Sequence, residues 1–249
     1  MAKEIWIVGA SQGLGLQVAR DYARRKRRVV GLGRRPCPAP DLFEAWRQAD
    51  VTSLDSFEAA IAGLYGEGRG PAVIVYMAST LYQGPLTEAP DAMLRAEIDT
   101  NYLGFVRLCQ AVAAFKPTGQ TVRLVAVAST LGYVGCPSLD GYSASKAALI
   151  SFARSSRREL AGHRIAVQIL SPPHMTDGGA DLVGPQPFTK AWAAPRFARA
   201  AERGPPERLL GFSNGLMLLM ARLARPLAQA IMDGIGADAL RRGARRPAV

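Results

Sequence analysis

Cysteine is scarce. Cys37, Cys109 and Cys136 are the only three in 249 residues, an odd number without metal-type spacing. A disulfide framework is thereby excluded, and a reduced cytoplasmic interior is expected. Histidine is scarcer still: His163 and His174 have no partners at ligand spacing, so no metal site is expected. No apolar run is long enough for a membrane-spanning helix. The opening "MAKEIWIVGAS" lacks a signal-peptide pattern, because its short apolar segment runs straight into a glycine turn. Acidic residues are the minority, 20 against 31 Lys and Arg, for a net charge of +11. Arginines and lysines cluster at 24–28, 34–35 and in the tail 240–249. No zinc-finger spacing or RNA-stacking signature accompanies them, so nucleic acid is not the expected partner. A solvated, arginine-rich surface accounts for most of this charge. Anionic phosphates, an acidic carrier protein and peripheral contact with a membrane are the partners it would also suit.

Apolar residues make up 49% of the chain with charge interspersed, which describes one globular unit over residues 1–249. Strand-like runs at 4–10, 28–33, 72–78, 121–129 and 164–170 alternate with helical segments at 14–25, 53–66, 91–115 and 142–160. Near-continuous Val, Ile and Leu strands between helices predict a doubly wound α/β fold, a parallel sheet covered on both faces. Past residue 171 the rhythm breaks. Residues 172–208 carry seven prolines and no clear period, as a substrate lid would. An apolar, helical character returns over 209–235. The expectation is a single domain with a lid and apolar helix over 172–223 and a basic tail over 240–249.

The chemistry gathers around four short stretches. "VGASQGLG" (8–15) follows the first strand and opens the first helix. Gly9, Ser11, Gln12, Gly13, Leu14 and Gly15 form a tight turn whose backbone N–H groups and helix dipole suit a pyrophosphate. After the second strand, an NAD site usually has a carboxylate for the ribose diol. Here stand Arg34 and Arg35 instead, which favour the 2′-phosphate of NADP(H) over NAD(H). In "ADVT" (49–52), Asp50 is placed to meet the adenine amino group. In "GYSASK" (141–146), Tyr142 and Lys146 lie one helical turn apart on one face. Hydride delivery to a carbonyl leaves an alkoxide that needs a proton donor. Tyr142 fits that role, with Lys146 supplying positive charge to lower its pKa and binding the nicotinamide ribose. Ser129, at the end of a strand, would hydrogen-bond the carbonyl oxygen.

With these residues in order, the chain resembles the short-chain dehydrogenase/reductase family over about residues 4–177. The resemblance rests on the glycine pattern at 9–15, "ADV" at 49–51, Asn101 in "NYLG", and Ser129 thirteen positions before Tyr142-x-x-x-Lys146. It implies a Rossmann fold, NAD(P)-dependent oxidoreductase activity and a homodimer or homotetramer. It also implies that Asn101 holds a water joining Lys146 to solvent. Val51, Ala78, Pro172 and Thr176 would line the cofactor. The family pattern is not followed throughout. "YMAS" (76–79) stands where the family often has N-N-A-G, keeping only Ala78 and losing a sheet-stabilising asparagine. Pro172-Pro173 replaces Pro-Gly and removes an N–H donor. A final strand bearing Asp-Gly-Gly is missing from the sequence.

The terminal stripe of Leu209, Phe212, Leu216, Met217, Met220 and Leu223 follows helical spacing, widened by Leu218 and Leu219. It suits a core or subunit interface, a lid over a long-chain substrate, or a helix lying on a membrane. The expected activity is NADPH-dependent reduction of a ketone on a hydrophobic substrate, a 3-oxoacyl, polyketide-like or lipid ketone, free or carrier-bound. Oxidative alcohol dehydrogenation is the alternative within enzymes. A catalytically idle, nucleotide-binding scaffold or regulator is the alternative of another class.

Overall fold

Five consecutive residues, Glu4–Val8, are buried along their whole length as strand β1. A strand covered on both faces has no polar side to alternate with, hence "EIWIV". The computed structural model describes residues 3–175 and 188–242, with backbone alone at 213–214. Beside β1 lie β2 (Arg28–Gly33), β3 (Ala45–Gln48), β4 (Pro71–Tyr76), β5 (Val122–Val127), β6 (Ile165–Ser171) and β7 (Glu207–Leu209). All pair in parallel in the order β3-β2-β1-β4-β5-β6-β7. The chain winds outward from β1 to β3, then crosses back to β4 and winds the other way. This is the expected doubly wound Rossmann architecture.

Helices α1 (Gly13–Arg24), α2 (Leu54–Gly66), α3 (Asp91–Ile98), α4 (Gly104–Phe115), α5 (Asp140–Ser155), α6 (Arg157–Gly162), α7 (Lys190–Arg203), α8 (Phe212–Leu223) and α9 (Arg225–Arg241) complete the described chain. Two apolar cores sandwich the sheet. One joins Trp6, Ile74, Leu124 and Ile169 to Phe57, Phe105, Leu108 and Leu149 from α2, α4 and α5. The other joins Ile5, Ile7, Val75 and Val125 to Val18, Tyr22 and Phe197 from α1 and α7.

Four expectations change at this level. Residues 190–203, read as part of an aperiodic lid, are the helix α7 and are packed in the second core. Phe197, Ala198 and Ala201 are buried there, and the Tyr22 hydroxyl donates to the Ala198 carbonyl at 3.0 Å. The small alanines let the two helices approach, and the prolines around them hid the period. The missing final strand has a counterpart: β7 "ERL" pairs with β6, too short for its alternation to be read. The long helix 91–115 is interrupted by a π turn over Asp99–Leu103. The terminal apolar stretch divides into β7, α8 and α9, with Ala224 between the helices.

Much of the basic cluster at 24–28 is neutralised locally. Arg27 and Arg25 pair with Glu202 at 2.8 and 3.4 Å, Arg24 with Asp21 at 3.4 Å, and Arg28 with Glu44 at 2.7 Å. Arg28 and Arg69 also hold the buried Glu4, each at 3.2 Å.

Candidate active site

Parallel strands bring their C-terminal ends to one edge, and ligands of such sheets bind where the winding reverses. Here that point lies between β1 and β4. Gly9, at the end of β1, has φ +88°, and a Cβ there would stand 2.5 Å from the Ala78 nitrogen. The turn after β1 therefore lies directly against the segment after β4, which joins Ala78 to the glycine turn. A Cβ on Gly15 would meet the Gly9 carbonyl at 2.1 Å, whereas one on Gly13, at φ +60°, would meet nothing within 4 Å. Gly13 thus faces open space at the helix start. Gln12 caps α1 without a side-chain hydrogen bond, and the first turn has no acidic residue. An uncapped, uncompensated helix start with an open glycine is a cradle that fits a pyrophosphate.

Arg34 and Arg35 are exposed, with their carbonyls pinned by Gln48 Nε2 at 2.9 Å and Trp46 Nε1 at 3.1 Å. The Arg35 guanidinium donates to Gln12 Oε1, so it reaches the glycine turn. Ser11 is half-buried beside Gly33, and Leu14 packs on the second core. Asp50 Oδ1 accepts from the Thr52 N–H at 2.9 Å and hydroxyl at 2.8 Å, a turn that fixes its side chain. The Val51 side chain is buried in the first core and its carbonyl accepts from Arg107 at 2.9 Å. Pro172 follows β6 at the same edge, and Thr176 lies outside the described residues.

Ser129, two residues past β5, accepts from the Leu131 N–H at 3.2 Å. Tyr142, in the first turn of α5, is hydrogen-bonded to Ser129 and Ser79. Burial pushes its hydroxyl up to about 12; the two serines oppose this and Glu97 adds to it. Lys146 Nζ donates to the Val127 carbonyl at 2.9 Å and lies 5.5 Å from the Tyr142 ring centroid. Burial lowers the Lys146 amine to about 7. The expected lowering of Tyr142 by Lys146 is thus not the effect present here; the serine hydroxyls exert it instead.

Asn101 sits in the π turn, a local irregularity frequent at functional sites. Its Oδ1 accepts from Ser79 Oγ at 3.0 Å and the Thr80 N–H at 2.9 Å. Its Nδ2 donates to the Thr80 carbonyl at 2.8 Å and Ser145 Oγ at 2.9 Å. Both donors and both lone pairs are committed. The side chain therefore clamps the segment after β4 to α5.

Three contributors were not legible beforehand. Ser79 occupies a departure from the family pattern, and its hydroxyl joins both Tyr142 and Asn101. Tyr76 replaces the sheet-stabilising asparagine: its hydroxyl donates to the Thr100 carbonyl at 2.5 Å. Glu97 is 1% exposed; the spacing of Leu94, Glu97, Asn101, Phe105 and Leu108 could have placed it on the buried face.

The stripe on α8 divides between two faces. Met217 and Met220 pack against the cluster of Val134, Cys136, Leu139, Ala228 and Met232, as Tyr142 and Leu131 do, while Phe212, Leu216, Leu219 and Leu223 are exposed. A groove of about 580 Å³ between α5 and α8 is lined by Tyr133, Ser151, Arg154, Leu218, Arg222 and Arg225; none of Ser129, Tyr142, Lys146 or Asn101 reaches it. Among the described residues no three His, Cys, Asp or Glu side chains gather as a metal site. No described helix is long and apolar enough to cross a membrane.

The model of the short chain dehydrogenase family matches residues 3–181. The 3-oxoacyl-[acyl-carrier-protein] reductase FabG of Salmonella typhimurium is 26% identical over 172 residues, 67% of this chain and 70% of that protein. A short-chain dehydrogenase structure from Streptomyces avermitilis superimposes with a TM-score of 0.76 at 24% identity, covering 99% of this chain and 100% of that one. An actinorhodin polyketide ketoreductase variant solved with NADPH gives 0.64 at 27% identity, over 70% and 71% of the two chains. A tyrosine hydrogen-bonded to a serine, at the edge of a parallel sheet that also carries a glycine cradle, agrees with these likenesses: the chain belongs to the short-chain dehydrogenase/reductase family of oxidoreductases.

Proposed function

We propose that this chain is an NADPH-dependent reductase that converts a ketone on a hydrophobic substrate to a secondary alcohol. The observation that carries the reading is the company of Tyr142. Its hydroxyl meets Ser129 and Ser79, while its ring packs against the apolar cluster of Val134, Cys136, Leu139, Ala228 and Met232 that Leu81, Leu131, Met217 and Met220 also adjoin. A proton donor set on an apolar cluster edged by leucine and methionine suits an apolar ketone, and methionine adapts to chains of varied shape.

The bound nicotinamide cofactor supplies the hydride. Gly9, Gly13 and Gly15 would hold its pyrophosphate, Arg34 and Arg35 its 2′-phosphate, and Lys146 its ribose. Ser129 donates a hydrogen bond to the ketone oxygen and orients it. Tyr142 delivers its proton as the oxygen becomes alkoxide-like. Phenolate formation is helped by Lys146 once it is protonated and free of Val127. Asn101 keeps Ser79 and α5 in register throughout. The similarity to an acyl-carrier-protein reductase supports a thioester-linked 3-oxoacyl chain as the first candidate, with a carrier as the delivering partner.

NADPH and NADH oxidation over 2-alkanones, 1-tetralone and 3-oxoacyl N-acetylcysteamine thioesters of increasing length tests this. The expected result is turnover that rises with chain length and prefers NADPH. Arg35→Ala should then weaken NADPH binding about 10–100-fold, the worth of a charged phosphate contact, with NADH little changed. Tight NADPH binding without turnover on any ketone would favour the idle scaffold instead.

A further inference from the structure

Glu97 is the one buried carboxyl beside Tyr142 that the mechanism above leaves without a task. It projects from α3 one turn before Asn101 and is 1% exposed. Its Oε1 accepts from the Tyr82 N–H at 2.8 Å, which ties the segment after β4 to α3. Its Oε2 is buried without a partner. That oxygen lies against Gly141, the residue before Tyr142: a Cβ on Gly141 would stand 2.1 Å from it. Glycine at 141 is thus what admits the carboxyl to the back of the catalytic turn. An unpaired carboxylate in such a place is strongly disfavoured. Burial accordingly raises Glu97 to about 7, with Asp140 contributing and the Tyr82 N–H opposing.

We infer that Glu97 is a positioning residue of this site, holding the 79–83 segment through Oε1 and setting, by its charge, how readily Tyr142 ionises. The inference rests on the proposed role of Tyr142. The titratable groups acting on Glu97 are few. Asp140 and Tyr142 face it from α5, Tyr82 offers its backbone N–H, and Asp99 in the π turn is paired with Arg107 at 3.2 Å. Glu97 and Tyr142 feel one another electrostatically. As pH rises through 7, Glu97 becomes charged and opposes the phenolate, so Tyr142 is held in its proton-bearing form. The device favours the reductive direction at neutral pH and delays the oxidative one, in which the phenolate is the base.

The test compares wild type, Glu97→Gln and Tyr142→Phe in NADP⁺-dependent oxidation of a 3-hydroxyacyl N-acetylcysteamine thioester from pH 6 to 10. Glu97→Gln keeps the acceptor for Tyr82 and removes the charge. Its kcat/KM profile should move to lower pH by about half a unit, about a threefold gain on the rising limb, with NADP⁺ affinity unchanged. Superimposed profiles, with Tyr142→Phe inactive, would overturn this inference alone. An active Tyr142→Phe would overturn the role of Tyr142 and the inference with it. Should the thioester not turn over, or Glu97→Gln not fold, the 295-nm tyrosinate absorbance that Tyr142→Phe lacks is titrated with NADP⁺ bound. Glu97→Met then serves as the uncharged variant. A midpoint unmoved by removing the charge overturns the inference there too.

Discussion

Replacing Glu97 by glutamine should change how stability depends on pH, by an amount the structure sets. An unfolded glutamate titrates near 4.5, and burial in the folded chain raises Glu97 to about 7. Below 4.5 both states carry the proton and the residue costs nothing. Between 4.5 and 7 the folded state keeps a proton that the unfolded state has released, so stability falls as pH rises. Above 7 the whole cost is present. At ~1.36 kcal/mol per pH unit, displacement from about 4.5 to about 7 amounts to ~3 kcal/mol. Glutamine carries no charge at any pH and escapes this cost. Relative to wild type, Glu97→Gln should therefore gain ~3 kcal/mol between pH 4 and pH 8, or ~6–12 °C in Tm for a chain of this size. Lys146 and the other titrating groups are common to both proteins and largely cancel in the difference. Urea unfolding followed by circular dichroism at pH 4, 5, 6, 7 and 8 measures it. A difference between the proteins that stays constant across that range would refute the reasoning.

Gly9 and Gly13 should part company when each becomes alanine. Gly9→Ala places a Cβ 2.5 Å from backbone in a left-handed conformation and should cost more than ~2 kcal/mol of stability. Gly13→Ala meets no atom and should cost ~1–2 kcal/mol, yet weaken NADPH binding at least about tenfold because the methyl enters the phosphate cradle. Thermal denaturation and fluorescence titration separate the two. Asn101→Ala breaks four hydrogen bonds at one buried amide and should cost ~2–4 kcal/mol. Its kcat should drop while NADPH affinity stays within a few-fold, because the amide braces Ser79 and α5 rather than the glycine turn. Leu219→Glu and Leu223→Glu, on the exposed face of α8, should leave the monomer's stability within ~0.5 kcal/mol.

The sheet was legible because buried parallel strands are written as unbroken Val, Ile and Leu runs. The glycine turn was legible because its position at the first strand–helix junction admits few alternatives. The edge strands β3 and β7 were not. At four and three residues they are too short to show alternation, and β7 depends on β6 for its register. α7 was concealed by proline on either side and by Pro195 within it. At the site, Tyr142, Ser129 and Lys146 follow from spacing, but what acts on them comes from distant segments. Ser79 and Glu97 lie 63 and 45 positions before Tyr142 and reach it only through the crossover after β4. The saturation of the Asn101 amide becomes visible only when its partners are in position.

The central claim is that Tyr142 delivers the proton in a carbonyl reduction. It is tested most directly by comparing wild type and Tyr142→Phe in NADPH oxidation with 3-oxoacyl N-acetylcysteamine thioesters, alongside NADPH affinity by fluorescence. Loss of the donor should cut turnover about 10²–10⁴-fold and leave the dissociation constant of NADPH within about twofold. Turnover near that of wild type in the phenylalanine variant would contradict the account.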